Sequence, residues 1–174
     1  MPRIVVCPLS QVPATVSTHS ASHLITLIKD RTRIERPSSI LSDRHLLLTF
    51  DDIIEPMEGM VAPSEEHARD LLTFIDLWDR KSPIVIHCYA GISRSTAAAF
   101  ITLCSLRPDR TEAEIAQSLR AASPFASPNI RLVGFADRLL GREGRMVAAI
   151  ESIGRGADAF EGIPFVLSID DDGA

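Results

Sequence analysis

The apolar run Ile84-Val85-Ile86 leads straight into His87-Cys88-Tyr89-Ala90-Gly91-Ile92-Ser93-Arg94-Ser95, a stretch that groups a thiol, a guanidinium and two serine hydroxyls within eight residues. A thiol reacts as thiolate, and an ordinary cysteine, with a pKa of about 8.5, is mostly protonated at neutral pH. The setting of Cys88 favours the thiolate. At a strand-to-helix junction successive amides curl into an anion-binding nest, and a helix starting near Ser93 adds the N–H groups of its first turn. Gly91 permits a tight turn at positive φ with no side chain between backbone and anion. Arg94, six residues after the cysteine, brings a planar fork for two non-bridging oxygens, which lysine does not match. Ser95 adds a hydroxyl able to hydrogen-bond the sulfur and favour its departure. Together these groups suit transfer of a phosphoryl group through sulfur.

His-Cys-x5-Arg-Ser, as it stands at His87 to Ser95, resembles the signature of the cysteine-dependent protein tyrosine phosphatase superfamily. The short chain and mid-chain loop look like the compact, dual-specificity-type branch and its bacterial relatives rather than the low-molecular-weight tyrosine phosphatases, whose loop is N-terminal. Ser127-Pro128-Asn129 followed by Leu132 resembles that branch's Pro-Asn-containing segment after the penultimate helices. The resemblance spans roughly residues 45 to 140 and is strongest at 86 to 95. It implies a phosphotyrosine protein phosphatase-like fold and hydrolysis of phosphate monoesters, protein phosphotyrosine first and phosphoserine or phosphothreonine in addition. It further implies a phosphocysteine intermediate, no metal or other cofactor, phosphate held by Tyr89, Ala90, Gly91, Ile92, Ser93 and Arg94, and an acid on a separate loop that approaches the cysteine when substrate binds. Phe50-Asp51-Asp52-Ile53 is the upstream candidate for that acid, and its two aspartates compete. Some compact relatives use the second of two aspartates after a Phe, and small bacterial relatives place the acid before an Ile. Both patterns favour Asp52, leaving Asp51, with His87 and Asn129, in supporting places.

These residues need a scaffold. Arg3 to Leu9, His23 to Ile28 and His45 to Phe50 are β-branched and aliphatic runs that read as strands, with a short helix between the first two and a polar loop from Arg31 to Asp43. Ser64 caps a helix with Glu65 and Glu66 in its first turn, an apolar stripe of Ala68, Leu71, Leu72, Ile75 and Trp78, and Arg80 and Lys81 in its last turn. The all-apolar strand before Cys88 is of the kind buried on both faces of a parallel sheet. Ala97 to Cys104, apolar almost all round, reads as a central buried helix ended by Pro108. Thr111 and Glu114 form a capping box for a helix that stops at Ser123-Pro124. Two amphipathic helices follow, one from about Asn129 to Leu140 with Gly141 as its stop, the other with Met146, Val147, Ile150 and Ile153 on one face. Residues 170–174, with Asp170-Asp171-Asp172, read as a disordered acidic tail. Strands alternating with helices, then a helical C-terminal half, indicate an α/β fold with a mainly parallel central sheet flanked by helices. In such folds ligands bind at the carboxyl ends of the strands, where Cys88 and the aspartate pair fall.

With 174 residues, 45% of them hydrophobic, the chain is expected to form a single phosphatase-like domain over 1–174. Its net charge, 18 − 23 = −5, argues against binding nucleic acid or an anionic membrane through a diffuse basic surface. The N-terminal apolar run is too short for a signal-peptide core and no stretch is long enough to span a bilayer, so a cytoplasmic protein is expected. Three cysteines, at 7, 88 and 104, read as free thiols. Cys7 and Cys104 are expected in the core, with a protective disulfide between Cys7 and oxidised Cys88 as the alternative for the first. Nothing specifies an oligomeric state. The partner is a phosphorylated protein or a small phosphomonoester. Two other functions compete: a rhodanese-like sulfurtransferase, which also uses a strand-end cysteine in an amide nest, and a phosphate-recognition module without turnover. Relatives that act on phosphoinositides carry lysines in the loop, which Tyr89 to Ser93 lacks.

Overall fold

The apolar runs at Arg3–Pro8 (β1), His23–Ile28 (β2), His45–Thr49 (β3) and Ile84–Cys88 (β4) become four parallel strands in the order β3-β2-β4-β1. β4 is buried at all five positions because it lies between β2 and β1 with helices on both faces. The structure is a computed structural model and describes residues 2–170. Helices α1 (Val12–His19), α2 (Glu65–Leu77), α3 (Arg94–Leu106), α4 (Glu112–Ala122), α5 (Ile130–Leu139) and α6 (Arg145–Ile153) connect and cover the strands.

The sheet divides the core into two layers. On one face α1 packs Val12 and Val16 against Val5, Cys7, Leu24 and Val85. On the other, Ile4, Val6, Ile25, Leu27, Ile84, Ile86 and Cys88 meet the larger helical layer, whose centre is α3. α3 is buried from Arg94 to Cys104, and its buried threonines are satisfied by backbone carbonyls: Thr102 Oγ1 donates to Ala98 O at 2.7 Å and Thr96 Oγ1 to Ile92 O at 2.6 Å. Each large apolar side chain enclosed there contributes about 1.5–3 kcal/mol, so α3 is a rigid base for the loop before it.

Local rules place the helix starts. Ser64 accepts from the backbone N–H of His67 while the His67 ring accepts from Ser64 N, a capping box closed by histidine instead of glutamate. Thr111 and Glu114 make the expected box on α4. The buried Asp137 carboxylate receives Gly144 N and Met146 N, both at 2.7 Å, which turns the chain from α5 into α6.

Two expectations are corrected. Arg80 and Lys81 are not in the last turn of α2, which ends at Leu77. Trp78 is anchored in the core and its indole N–H donates to Ser82 O at 3.1 Å, so the chain turns away, with Arg80 in the left-handed region. The C-terminal part is not all helical: Phe165–Ser168 forms β5, antiparallel to β1 at the sheet edge, with Arg3 opposite Ser168 and Val6 opposite Phe165. The acidic tail falls mostly on 171–174, outside the described residues; Asp170 is exposed in a bend. Among the described residues no helix is long and apolar enough to cross a membrane.

Candidate active site

β4 ends on Cys88 and α3 begins at Arg94, so the residues between them turn over the carboxyl end of the sheet. The backbone of this loop is tied down from outside. Leu9 N donates to Tyr89 O at 3.1 Å, Gly162 N to Ala90 O at 2.7 Å, Ser127 N to Ile92 O at 2.9 Å, and Asn129 N to Ser93 O at 3.2 Å. In a trans peptide the carbonyl and the following N–H point in opposite directions. Carbonyls held outward therefore turn the N–H groups of Ala90, Gly91, Ser93 and Arg94 inward. The Gly91 N–H bears this out, donating to Cys88 Sγ at 3.2 Å. Ser95 Oγ lies 3.1 Å from the same sulfur.

Gly91 has φ of 71°, and a Cβ there would lie 2.8 Å from Pro8 N and 2.9 Å from Cys7 C. The loop is thus packed against the exit of β1, and only glycine combines this turn with this approach. Gly162 backs it from another side, since a Cβ there would come 3.0 Å from Gly91 O. The strap that carries Gly162 is fixed by Ser10 Oγ donating to Glu161 Oε1 at 2.6 Å and by Ala157 N donating to Pro124 O at 2.8 Å.

The two aspartates have different partners. Asp52 Oδ1 accepts from Ser93 Oγ at 2.7 Å and from Asn129 Nδ2 at 2.9 Å, which brings its carboxylate to the loop between Cys88 and Arg94, with Oδ2 accepting from no described residue. Asn129 Nδ2 also donates to Ile53 O at 3.2 Å, and its Oδ1 caps α5 through Leu132 N. Asp51 is buried instead, its Oδ2 accepting from Val61 N at 2.8 Å and its backbone N donating to Val61 O at 2.7 Å, with Lys29 Nζ 3.6 Å from Oδ1. It closes the base of the loop that carries Asp52. Arg94 joins that loop to the loop after Cys88: Nη1 donates to Phe50 O at 3.0 Å, and Nε is buried without a partner among the described residues.

His87 lies beneath the cysteine. Its Nδ1 is 3.2 Å from Cys88 O, which can only accept, so Nδ1 carries the proton and Nε2 accepts from Thr26 Oγ1 at 2.7 Å. Thr26 Oγ1 in turn accepts from His45 Nε2 at 2.8 Å. Burial pushes the His87 imidazole down to about 4, helped by the charges of His45 and Arg94 and opposed by the bond to the Cys88 carbonyl. An unfolded chain takes up this proton near pH 6.5, the native fold only near pH 4. Stability from His87 is therefore complete above about pH 6.5 and is lost as pH falls through that window, by about 3 kcal/mol at most. His45 and His67, lowered first by burial, act in the same direction. The melting temperature should fall from pH 6.5 to pH 4, and less steeply in His87→Asn; identical slopes would exclude this origin.

Of the residues singled out from sequence, Cys88, Gly91, Arg94, Ser95, Ser93, Asp52, Asn129 and His87 are drawn into one bonded network, while Asp51 is turned toward Val61. Tyr89 is largely exposed at the loop's edge, and Ala90 and Ile92 contribute their backbone. Cys7 lies in the α1 layer, on the opposite face of the sheet from Cys88, so a disulfide between them would need β1 or β4 to turn over. Burial raises Cys7 to about 12, which makes it a poor thiolate. Thr26, Val61 and Gly162, and the carbonyl of Phe50, are contributors that the sequence reading does not single out. Thr26 alone carried a signal, a hydroxyl inside the apolar strand HLITLI.

No protein-family model matches the sequence, and no curated protein does. Solved structures do. DUSP15 superposes with a TM-score of 0.63 at 16% identity over 86% of this chain and 90% of that one. Human DUSP28 gives 0.62 at 14%, over 80% and 94%. A human tyrosine phosphatase-like serine/threonine/tyrosine-interacting protein gives 0.61 at 17%, over 80% and 92%. The chain therefore has the fold of these dual-specificity-type and tyrosine phosphatase-like structures, the fold that the resemblance at His87 to Ser95 led one to expect.

Proposed function

We propose that this chain is a cysteine-dependent phosphatase that hydrolyses phosphate monoesters, protein phosphotyrosine foremost, through a phosphocysteine at Cys88. The observation that carries the reading is the sulfur's setting, with Gly91 N–H and Ser95 Oγ both on Sγ inside a loop whose outward carbonyls turn its amides inward. In the first step the Cys88 thiolate attacks phosphorus in line, the P–S bond forms as the ester P–O bond breaks, and protonated Asp52 gives its proton to the departing oxygen. In the second, Asp52 as carboxylate takes a proton from water while the water oxygen attacks phosphorus. The P–S bond breaks, orthophosphate leaves, and Ser95 Oγ stabilises the released thiolate. Loop amides and Arg94 hold the equatorial oxygens through both steps, and positioning with preorganised charge supplies most of the acceleration. A tyrosine phenolate, with a pKa of about 10, is an easier leaving group than a serine alkoxide.

The test is phosphate release from para-nitrophenyl phosphate and a phosphotyrosine peptide, with a rapid acid quench and mass analysis of the Cys88 peptide for one added phosphoryl group. Phosphate binding without release would indicate a recognition module, and persulfide formation from thiosulfate a sulfurtransferase. Asp52→Asn should lower kcat on the peptide about 10²-fold and remove the basic limb of the pH profile, the usual scale for a lost general acid. Asp51→Asn should keep that limb and lose some thermal stability, because the Val61 N–H is left with a neutral acceptor in place of a carboxylate and Lys29 loses its ion pair. The opposite assignment of the two effects would transfer the acid role to Asp51.

A further inference from the structure

A cleft of about 830 Å³ opens from Asp52 and Ser93 and reaches past the end of α6 to Gly154 and Arg155. Its walls are apolar: Ile53, Ile54 and Met57 from the acid loop, Pro128 and Ile130 beside Asn129, and Ile150 from α6. Ile54 and Met57 are 53% and 58% exposed, an apolar surface with no intramolecular cover. A cavity of about 150 Å³ takes one benzene ring, so this cleft holds several side chains beyond the one that bears the phosphate.

Charge narrows the occupant. Glu55 and Glu151 line the cleft, are exposed, and form no ion pair with a described residue. Arg155, the basic residue on the rim, is bound by Asp158 at 2.7 Å and so presents little free positive charge. The rim is thus acidic on a chain of net charge −5.

We propose that this cleft receives the polypeptide flanking the phosphorylated residue and selects an apolar residue with a lysine or arginine beside it. The proposal rests on the phosphatase reading above and adds its selectivity. The apolar walls recognise the first side chain by removing both surfaces from water. Glu55 and Glu151 attract the basic one, and they repel acidic flanks and small molecules carrying several phosphates.

Three phosphotyrosine peptides of equal length test it, flanked by Leu and Arg, by Leu and Glu, or by Gly and Ser. kcat/KM should be about tenfold higher for the first than for the second, with the gap narrowing as salt rises. Charge reversal by Glu55→Lys with Glu151→Lys, both at exposed positions, should erase or invert that order, and Met57→Ser should reduce the advantage of Leu over Gly. Equal kcat/KM for all three peptides, or a preference for the acidic one, overturns the proposal. Equilibrium binding of the same peptides to Cys88→Ser reads the flank preference without turnover. A binding preference with no phosphate release by the wild type would remove the phosphatase reading and keep the cleft. Release without any preference would do the reverse.

Discussion

Cys88→Ser should release no phosphate above background, a loss of at least about 10⁴-fold, while still binding phosphate and melting close to the wild type. Serine fits the site, being smaller at the reacting atom and able to keep a hydrogen bond to Ser95 Oγ and to the Gly91 N–H. What changes is the fraction of anionic nucleophile. A cysteine reaches its anion far more readily at neutral pH than a serine does, and under the proposed mechanism Asp52 serves the leaving group rather than the nucleophile. No other base is at hand, because His87 has Nδ1 on a carbonyl and Nε2 on Thr26. Phosphate release by stopped assay, with isothermal titration of phosphate, checks both halves. Appreciable turnover by the serine variant would end the covalent mechanism, and loss of phosphate binding along with turnover would point to a collapsed loop.

Arg94→Lys should be almost as damaging, lowering kcat/KM about 10³-fold, the scale of losing an oxyanion donor together with a bidentate charged pair. The guanidinium serves two loops. One arm donates to Phe50 O, two residues before Asp52, and the buried Nε has no partner among the described residues, which under the proposed mechanism leaves it for a phosphate oxygen. A single ammonium cannot hold the Phe50 carbonyl and span two phosphate oxygens at once. The loss should therefore divide, with weaker inhibition by inorganic phosphate reporting the oxyanion contact and a flattened basic limb reporting the slackened acid loop. A variant that lost affinity alone, with its pH profile intact, would show that Arg94 does not steer Asp52.

The parts of this site that could be read from sequence are the local ones. Cys88, Gly91, Arg94 and Ser95 lie within one strand–turn–helix junction, so their spacing alone suggests what they face. The choice between Asp51 and Asp52 was not local. It depends on Val61 N and Lys29 on one side and Ser93 and Asn129 on the other, up to 77 residues away. The outward ties on the loop carbonyls come from Leu9, Ser127, Asn129 and Gly162, and a backbone donor leaves no mark in residue type. β5 was missed because Phe165-Val166-Leu167 is too short to announce a strand until β1 offers it an edge. The end of α2 was misjudged because tertiary anchoring of Trp78 outweighed the basic residues that favour a helix C-terminus.

The hydrogen bond from Gly162 to Ala90 has a bearing on when the protein acquires its chemistry. β1 finds β4 across some eighty residues and β5 across about one hundred and sixty, so the sheet on which the loop rests is built from some of the most distant contacts in the chain. Contacts of that separation close late and slowly in folding. During synthesis, which proceeds from the N-terminus, the nucleophile emerges long before the strap that holds its loop in shape. A ribosome-bound chain short of Gly162 carries Cys88 without one of the backbone ties on the loop around it, and the loop's shape is completed only as β5 joins β1.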